Sequence, residues 1–226
     1  MALLSAIFYF LGYHPFLAML ALLLSGLFGS AVLAQLGGHR AWFALALVIP
    51  IFVFTQINFF TGHMLNALFL NAFGTQGHAV IVHSRETDSQ LNDKNIWEYD
   101  AVLKTADGHD VPLQFNTMSA AIYPIRNAIL IPPENELFVA KYIPGFECNI
   151  VIMSDESDYG KRIIVDDDRG PVEKAAGQYA VSPANGAFIK EYRDALQAFI
   201  AKHHNDADPD LIQDYEEQLE RLGGAN

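Results

Sequence analysis

The sequence predicts an α+β membrane protein, in which an N-terminal transmembrane helical hairpin carries a small antiparallel β domain of sandwich or barrel-like form, followed by C-terminal helices. Three observations predict it. Two apolar runs of bilayer-spanning length open the chain, no Asp or Glu precedes Thr75, and the hydrophobic period changes from helical to two after Gly74 and back to helical near the end. These shifts divide the chain into residues 1–74, a two-span hairpin with interfacial extensions, residues 75–165, the β domain, and residues 166–226, a polar linker and a helical pair.

The first span covers residues 16–36, FLAMLALLLSGLFGSAVLAQL, where no ionisable side chain interrupts roughly the twenty apolar residues a helix needs to cross the hydrocarbon core. Residues 2–12 are apolar but too short to cross, and His14-Pro15 breaks the pattern, so they read as an interfacial extension of the same element. The second span follows a turn at Gly37-Gly38-His39-Arg40 and runs over residues 41–60, with Trp42 at interfacial depth and a kink at Pro50. Met64, Leu65, Leu68, Phe69 and Phe73 then fit an amphipathic helix that extends it, with His63 at the membrane edge. A cleaved signal peptide is the alternative, because Ala34 precedes Gln35 in a small-residue context. It lacks the positive leader, and its apolar stretch is too long.

Ser25 with Gly29, and Gly26 with Ser30, form two small-xxx-small pairs that let a second backbone approach in lipid. Either the second span or another copy of the chain can fill that role. Orientation rests on Arg40 in the turn against Arg85 on the opposite flank, a narrow count that places the turn in the cytoplasm and the domain outside, on a multi-pass membrane protein.

Alternating or β-branched segments occupy residues 78–84, 96–105, 111–117, 137–143, 149–153 and 162–165, which gives the β domain. Asp107-Gly108 closes the clearest hairpin, residues 91–95 read as a polar loop, and Pro132-Pro133 and Pro144-Gly145 mark turns. From Asp155 the chain reads as irregular and polar through Asp166-Asp167-Asp168-Arg169-Gly170-Pro171. A helix follows over residues 187–203, and a last one opens at Asp208 as N-cap with Pro209 in the first helical position.

The motifs G-x-A-x-V from Gly77, A-D-G-H-D-V from Ala106 and V-A-K-Y-I-P-G-F from Val139, leading into N-I-V-I, resemble the membrane-anchored bacterial proteins grouped as domain of unknown function 3592. The resemblance covers residues 75–153. It implies a β fold behind a membrane anchor in bacteria and brings no activity with it.

Composition narrows the chemistry. A net charge of -12 carried almost wholly by the soluble part repels nucleic-acid phosphates, so no nucleic-acid partner is expected. The expected partners are the lipid bilayer and either a second protein or another copy of the chain. The single cysteine, Cys148, forbids an internal disulfide and a cysteine zinc site, and reads as a buried structural thiol. HExxH, GxSxG, Walker and GxGxxG motifs are missing, and no cofactor is expected. Asp206, Asp208, Asp210 and Glu217 carry EF-hand spacing, but Leu211 stands where that loop needs glycine, so Asp208 reads as a helix cap and no metal is assigned. His78 and His83 are an odd number of residues apart and belong on opposite strand faces.

Residues 118–133 are the most unusual soluble stretch, a long apolar connection whose only charge is Arg126. It reads either as a partner-facing or membrane-skimming loop, with Arg126 pairing to a carboxylate or phosphate, or as a buried crossover. Arg126, Tyr123, Trp97 and Tyr142 are the binding candidates, the aromatics as a recognition face, with core or cross-strand packing as their structural alternative. No catalytic residue is assigned. The expected function is a membrane-anchored binding or assembly module. Its rivals are a subunit of a transport or secretion complex and a membrane enzyme using His63, Asn58 and Gln56.

Overall fold

A computed structural model describes residues 1–36, 48–91 and 93–223. The expected turn at residues 37–40, the interfacial Trp42 and the start of the second span lie outside the described residues. The fold is α+β, and the chain divides into two compact units, Met1–Ser157 and Asp158–Asn226.

The first unit opens with helices α1 (Ala2–Tyr13), α2 (Pro15–Leu36) and α3 (Val48–Phe73). Two of them, over Pro15–Gln35 and Val48–Phe73, are long and apolar enough to cross a membrane. Proline at the first position of α2 separates it from α1, since the ring is tolerated where no intrahelical N–H bond is required. The amphipathic stretch after Phe60 continues α3 without a break, and Lys141 closes its end by donating from Nζ to the Asn71 side chain (2.8 Å) and carbonyl (3.3 Å).

Six strands follow as one mixed sheet of order β3-β2-β1-β5-β6-β4. They are β1 (Thr75–Leu91), β2 (Lys94–Lys104), β3 (Asp110–Asn116), β4 (Ile122–Tyr123), β5 (Leu137–Ile143) and β6 (Phe146–Met153). All pairs are antiparallel except β4 with β6, which is parallel. The single sheet replaces the alternative of a two-sheet sandwich. It curls so that Leu113 and Phe115 of β3 and Ile150 and Ile152 of β6 line one small cavity of about 20 Å³, room for a single water. Gly108 and Gly145 adopt φ of 87° and 88° in the β2–β3 and β5–β6 turns, the left-handed backbone those short connections demand.

Strand alternation gives the sheet two buried faces. Ala79, Leu103, Phe138, Ala140, Tyr142 and Ile152 fill the inside of the curl, while Ile143, Val151 and Met153 pack with Ala67, Phe69 and Leu70 of α3. The hairpin therefore contributes half of a core, beyond an interfacial extension. The polar stretch expected as a loop at residues 91–95 is instead the tip of a β1–β2 ribbon, with β1 running to Leu91 and β2 starting at Lys94; Asn92 lies outside the described residues. A bulge at Val82 adds one residue to β1, so His78 and His83 pair with Lys104 and Asp100 and share a face, contrary to the odd-separation rule.

The second unit holds α4 (Asp158–Val181), α5 (Gly186–His203) and α6 (Pro209–Gly223). Residues 162–165, expected as a strand, and the acidic run after them belong to α4, which carries Pro171 in its interior. A short apolar run fits strand or helix equally. Val172 and Ala175, further along, set the helical stripe that buries against Tyr192, Leu196, Phe199, Ile212, Tyr215 and Leu222. Asn185 caps α5 by accepting from the Ala187 N–H (3.0 Å), and Asp208 caps α6 by accepting from the Asp210 N–H (2.9 Å).

Candidate functional site: the junction of hairpin and sheet

A buried polar network lies where α1, α3 and β6 of the first unit meet. The register of β5 with β6 slips between Tyr142–Ile150 and Ile143–Phe146, and along β6 Asn149 alternates onto the same face as Val151 and Met153, the face packed on α3. Asn149 turns into the helices and exchanges amide hydrogen bonds with Asn66 of α3: Asn66 Nδ2 donates to Asn149 Oδ1 (2.7 Å), and Asn149 Nδ2 donates to Asn66 Oδ1 (2.9 Å). Asn149 Nδ2 also reaches the Ser5 hydroxyl (3.0 Å) and carbonyl (3.2 Å) of α1. All three residues are at most 4% exposed. Around them Phe8 stacks on Phe69 at 4.6 Å between ring centroids, and Tyr9 meets Phe146 edge-on at 5.7 Å.

Glycines let the helices come this close. A Cβ on Gly62 would lie 2.6 Å from the Leu11 carbonyl oxygen, and one on Gly12 would lie 3.2 Å from the Gly62 backbone, so α1 and α3 touch backbone to backbone. The expected small-residue pairs divide. Gly26 faces α3, where an added Cβ would meet Ile51 Cγ2 at 2.5 Å, and Ser30 is buried. Ser25 is exposed with its hydroxyl on the Leu22 carbonyl (2.9 Å), and a Cβ on Gly29 would meet nothing within 4 Å. The Gly12–Gly62 contact carried no sequence signal beyond single glycines in apolar helices.

The binding candidates do not converge. Tyr142 belongs to the core, 3% exposed, with its hydroxyl accepting from the Ala106 N–H (2.9 Å) across the curl. Trp97 sits on β2 and is 39% exposed, its backbone N–H donating to Thr117 Oγ1 (3.0 Å). Tyr123 and Arg126 do come together. Ser154, in the 3₁₀ turn Ser154–Glu156, donates to the Tyr123 carbonyl (3.2 Å), and Arg126 grips Asp155 with both Nη atoms, Nη2 to Oδ2 at 2.7 Å. Those hydrogen bonds from Arg126 hold the Asp155 carboxyl below the usual carboxylate range, against the opposing pull of burial. The pair clamps the crossover between β3 and β5 onto the end of β6.

The polar residues of the spans separate as well. Gln56 Nε2 contacts the Met19 sulfur (3.6 Å), Asn58 Nδ2 donates to the Leu11 carbonyl (3.3 Å), and His63 lines a different cleft beside Arg126. Cys148 is exposed, contrary to the expected buried thiol, because strand alternation turns it to the face opposite Val151 and Met153, away from α3; partial burial still pushes its thiol up. In the second unit Asp168, expected in an irregular polar stretch, lies on α4, accepts from Lys202 Nζ (2.6 Å) and lies 2.7 Å from Nε2 of the buried His203. Lys202 first, then His203, hold its carboxyl below the ordinary range. Among the described residues no three His, Cys, Asp or Glu side chains come together as a metal site.

Fold and junction define an α+β chain whose sheet is built onto α1 and α3, the latter one of two helices long and apolar enough to cross a membrane. No family model, curated protein or solved structure matches the chain.

Proposed function

We propose that the chain is a membrane-anchored binding or assembly module of the bacterial inner membrane, in which α2 and α3 span the bilayer and the sheet presents surfaces to a protein partner. The observation that carries this reading is the buried Ser5–Asn66–Asn149 network, which ties anchor and sheet into one body. A domain that only needed tethering would be served by a flexible linker, whereas a docking platform gains from a fixed height and orientation because ordering costs are met before the partner arrives. The likeness of residues 75–153 to domain of unknown function 3592 is part of this proposal. The scattering of Gln56, Asn58 and His63 speaks against a membrane enzyme assembled from those groups.

Photo-crosslinking in native membranes tests the reading, with the reactive residue placed at exposed Val82 and Trp97 of the full chain. The expected result is one recurring protein adduct from at least one position, in membranes that retain the chain through alkaline carbonate washing. Release of the chain by carbonate overturns the anchor, and adducts that vary at random between preparations overturn the docking role.

A further inference from the structure

We propose that the tip of the crossover between β3 and β5, carrying Ile125 and Ile129, inserts into the bilayer surface beside α3, so that the sheet contacts lipid directly as well as through its anchor. The inference rests on the reading that α2 and α3 span the membrane. Ile125 and Ile129 are 39% and 59% exposed, in a stretch with no charge except Arg126. That one charge is matched by the bidentate Asp155 carboxylate, so the tip presents its isoleucines to lipid without an unpaired ion.

Height along α3 supplies the second argument. The spanning segment Pro15–Gln35 has 21 residues, about 31 Å of helix, against a hydrocarbon thickness of roughly 30 Å. One hydrocarbon boundary therefore falls at the start of α2. There Phe16 meets Phe59 of α3 at 4.9 Å between centroids, and Gly12 touches Gly62 just above. The cleft of about 60 Å³ between α3 and the crossover is lined by His63 and Met64 on one side and Ile125, Arg126 and Ile129 on the other. The tip thus sits about one helical turn, roughly 5 Å, above the boundary, within the interfacial layer where apolar side chains reach the acyl chains. On α3, Phe60, Leu65 and Leu68, which flank His63 and Met64 in sequence, are exposed as well. Lipid already in contact with the spans covers both.

The test uses the full chain in zwitterionic lipid vesicles, with Cys148→Ser removing the only native thiol. Nitroxide labels are introduced singly at Ile125, Ile129, Leu24 in α2 and Lys94 on the ribbon. Collision rates with oxygen and with a water-soluble nickel chelate are then compared. The expected result is a several-fold loss of nickel collisions at Ile125 and Ile129 relative to Lys94, with oxygen access approaching that of Leu24. Nickel access at both isoleucines equal to Lys94, with Leu24 shielded, overturns the crossover contact and leaves the spans standing. Nickel access at Leu24 overturns the spanning reading and this inference with it. Spin–spin broadening at Ile129 that disappears on dilution with unlabelled chain assigns the face to a second copy, and the lipid proposal fails.

Discussion

Replacing Asn149 with Leu removes the hub of the junction while keeping its volume close. Asn66 loses the acceptor for its Nδ2 (2.7 Å) and the donor to its Oδ1 (2.9 Å), and the Ser5 hydroxyl loses a donor at 3.0 Å. None regains water, since Asn66 is 4% exposed and Ser5 fully buried. An unsatisfied buried polar group costs about 1–3 kcal/mol, so the two Asn66 groups alone predict about 2–6 kcal/mol of destabilisation, a large share of the roughly 5–15 kcal/mol typical of a domain. The paired substitution Asn66→Leu with Asn149→Leu takes away both halves of the amide exchange and recovers part of that loss. Equilibrium unfolding in mixed micelles, followed by the β signal in circular dichroism, gives the three free energies and the coupling between the sites. A loss below about 0.5 kcal/mol for Asn149→Leu, or a double variant no more stable than the sum of the singles, refutes the assignment of the network as the joint.

Gly62→Ala forces a Cβ to 2.6 Å from the Leu11 carbonyl oxygen and should cost about 1–3 kcal/mol by separating α1 from α3, whereas Gly29→Ala, with nothing within 4 Å, should leave the melting temperature in detergent unchanged. Arg126→Ala should cost only about 1 kcal/mol, because both partners of the pair are about a third exposed, but should expose the crossover to limited proteolysis many times faster. Asp155 has a depressed folded pKa, so its contribution is present above the ordinary carboxylate range and fades as pH falls through the folded value; an acid titration of stability should lose that component in Arg126→Ala. Asp168→Asn weakens the contacts to Lys202 and His203, and faster amide exchange in α4 and α5 of the full chain is the readout. The wild-type advantage should again shrink with acid in the same direction.

Local pattern carried much of this architecture. Strand β5 coincides with the expected residues, and Asp208-Pro209 announces α6, because turn and cap chemistry act over a few neighbouring residues. The ribbon beyond Glu86 was hidden for a physical reason: strands that project past the sheet have no buried face, so Thr87, Asp88 and Ser89 show no alternation. The strand expected at residues 162–165 failed because four apolar-leaning residues cannot distinguish a strand from one helical turn. Least legible was the junction itself. Ser5, Asn66 and Asn149 are single polar residues in apolar surroundings, separated by most of the length of the first unit, and only the packing of α1 and α3 on one face of β6 brings them together. The Arg126 pair was half visible, since its isolation predicted a partner, but Asp155 is brought to it by a parallel strand of two residues that no periodicity announces.

Between α3 and β1 there is a single residue, Gly74, whose N–H closes the helix on the Leu70 carbonyl at 2.8 Å before Thr75 enters the sheet. No slack separates them. A Cβ on Gly74 would lie 2.4 Å from that carbonyl oxygen, so even the joint is filled. With β1 extending over 17 residues, up to about 56 Å of strand turns with the helix. In a bilayer, a change of 10° in the tilt of α3 would carry the far end of that strand through roughly 10 Å, and tilt is the coordinate by which spanning helices adjust to membrane thickness. With α3 in a bilayer, the ribbon tip would be the long arm of a lever and the helix its short arm.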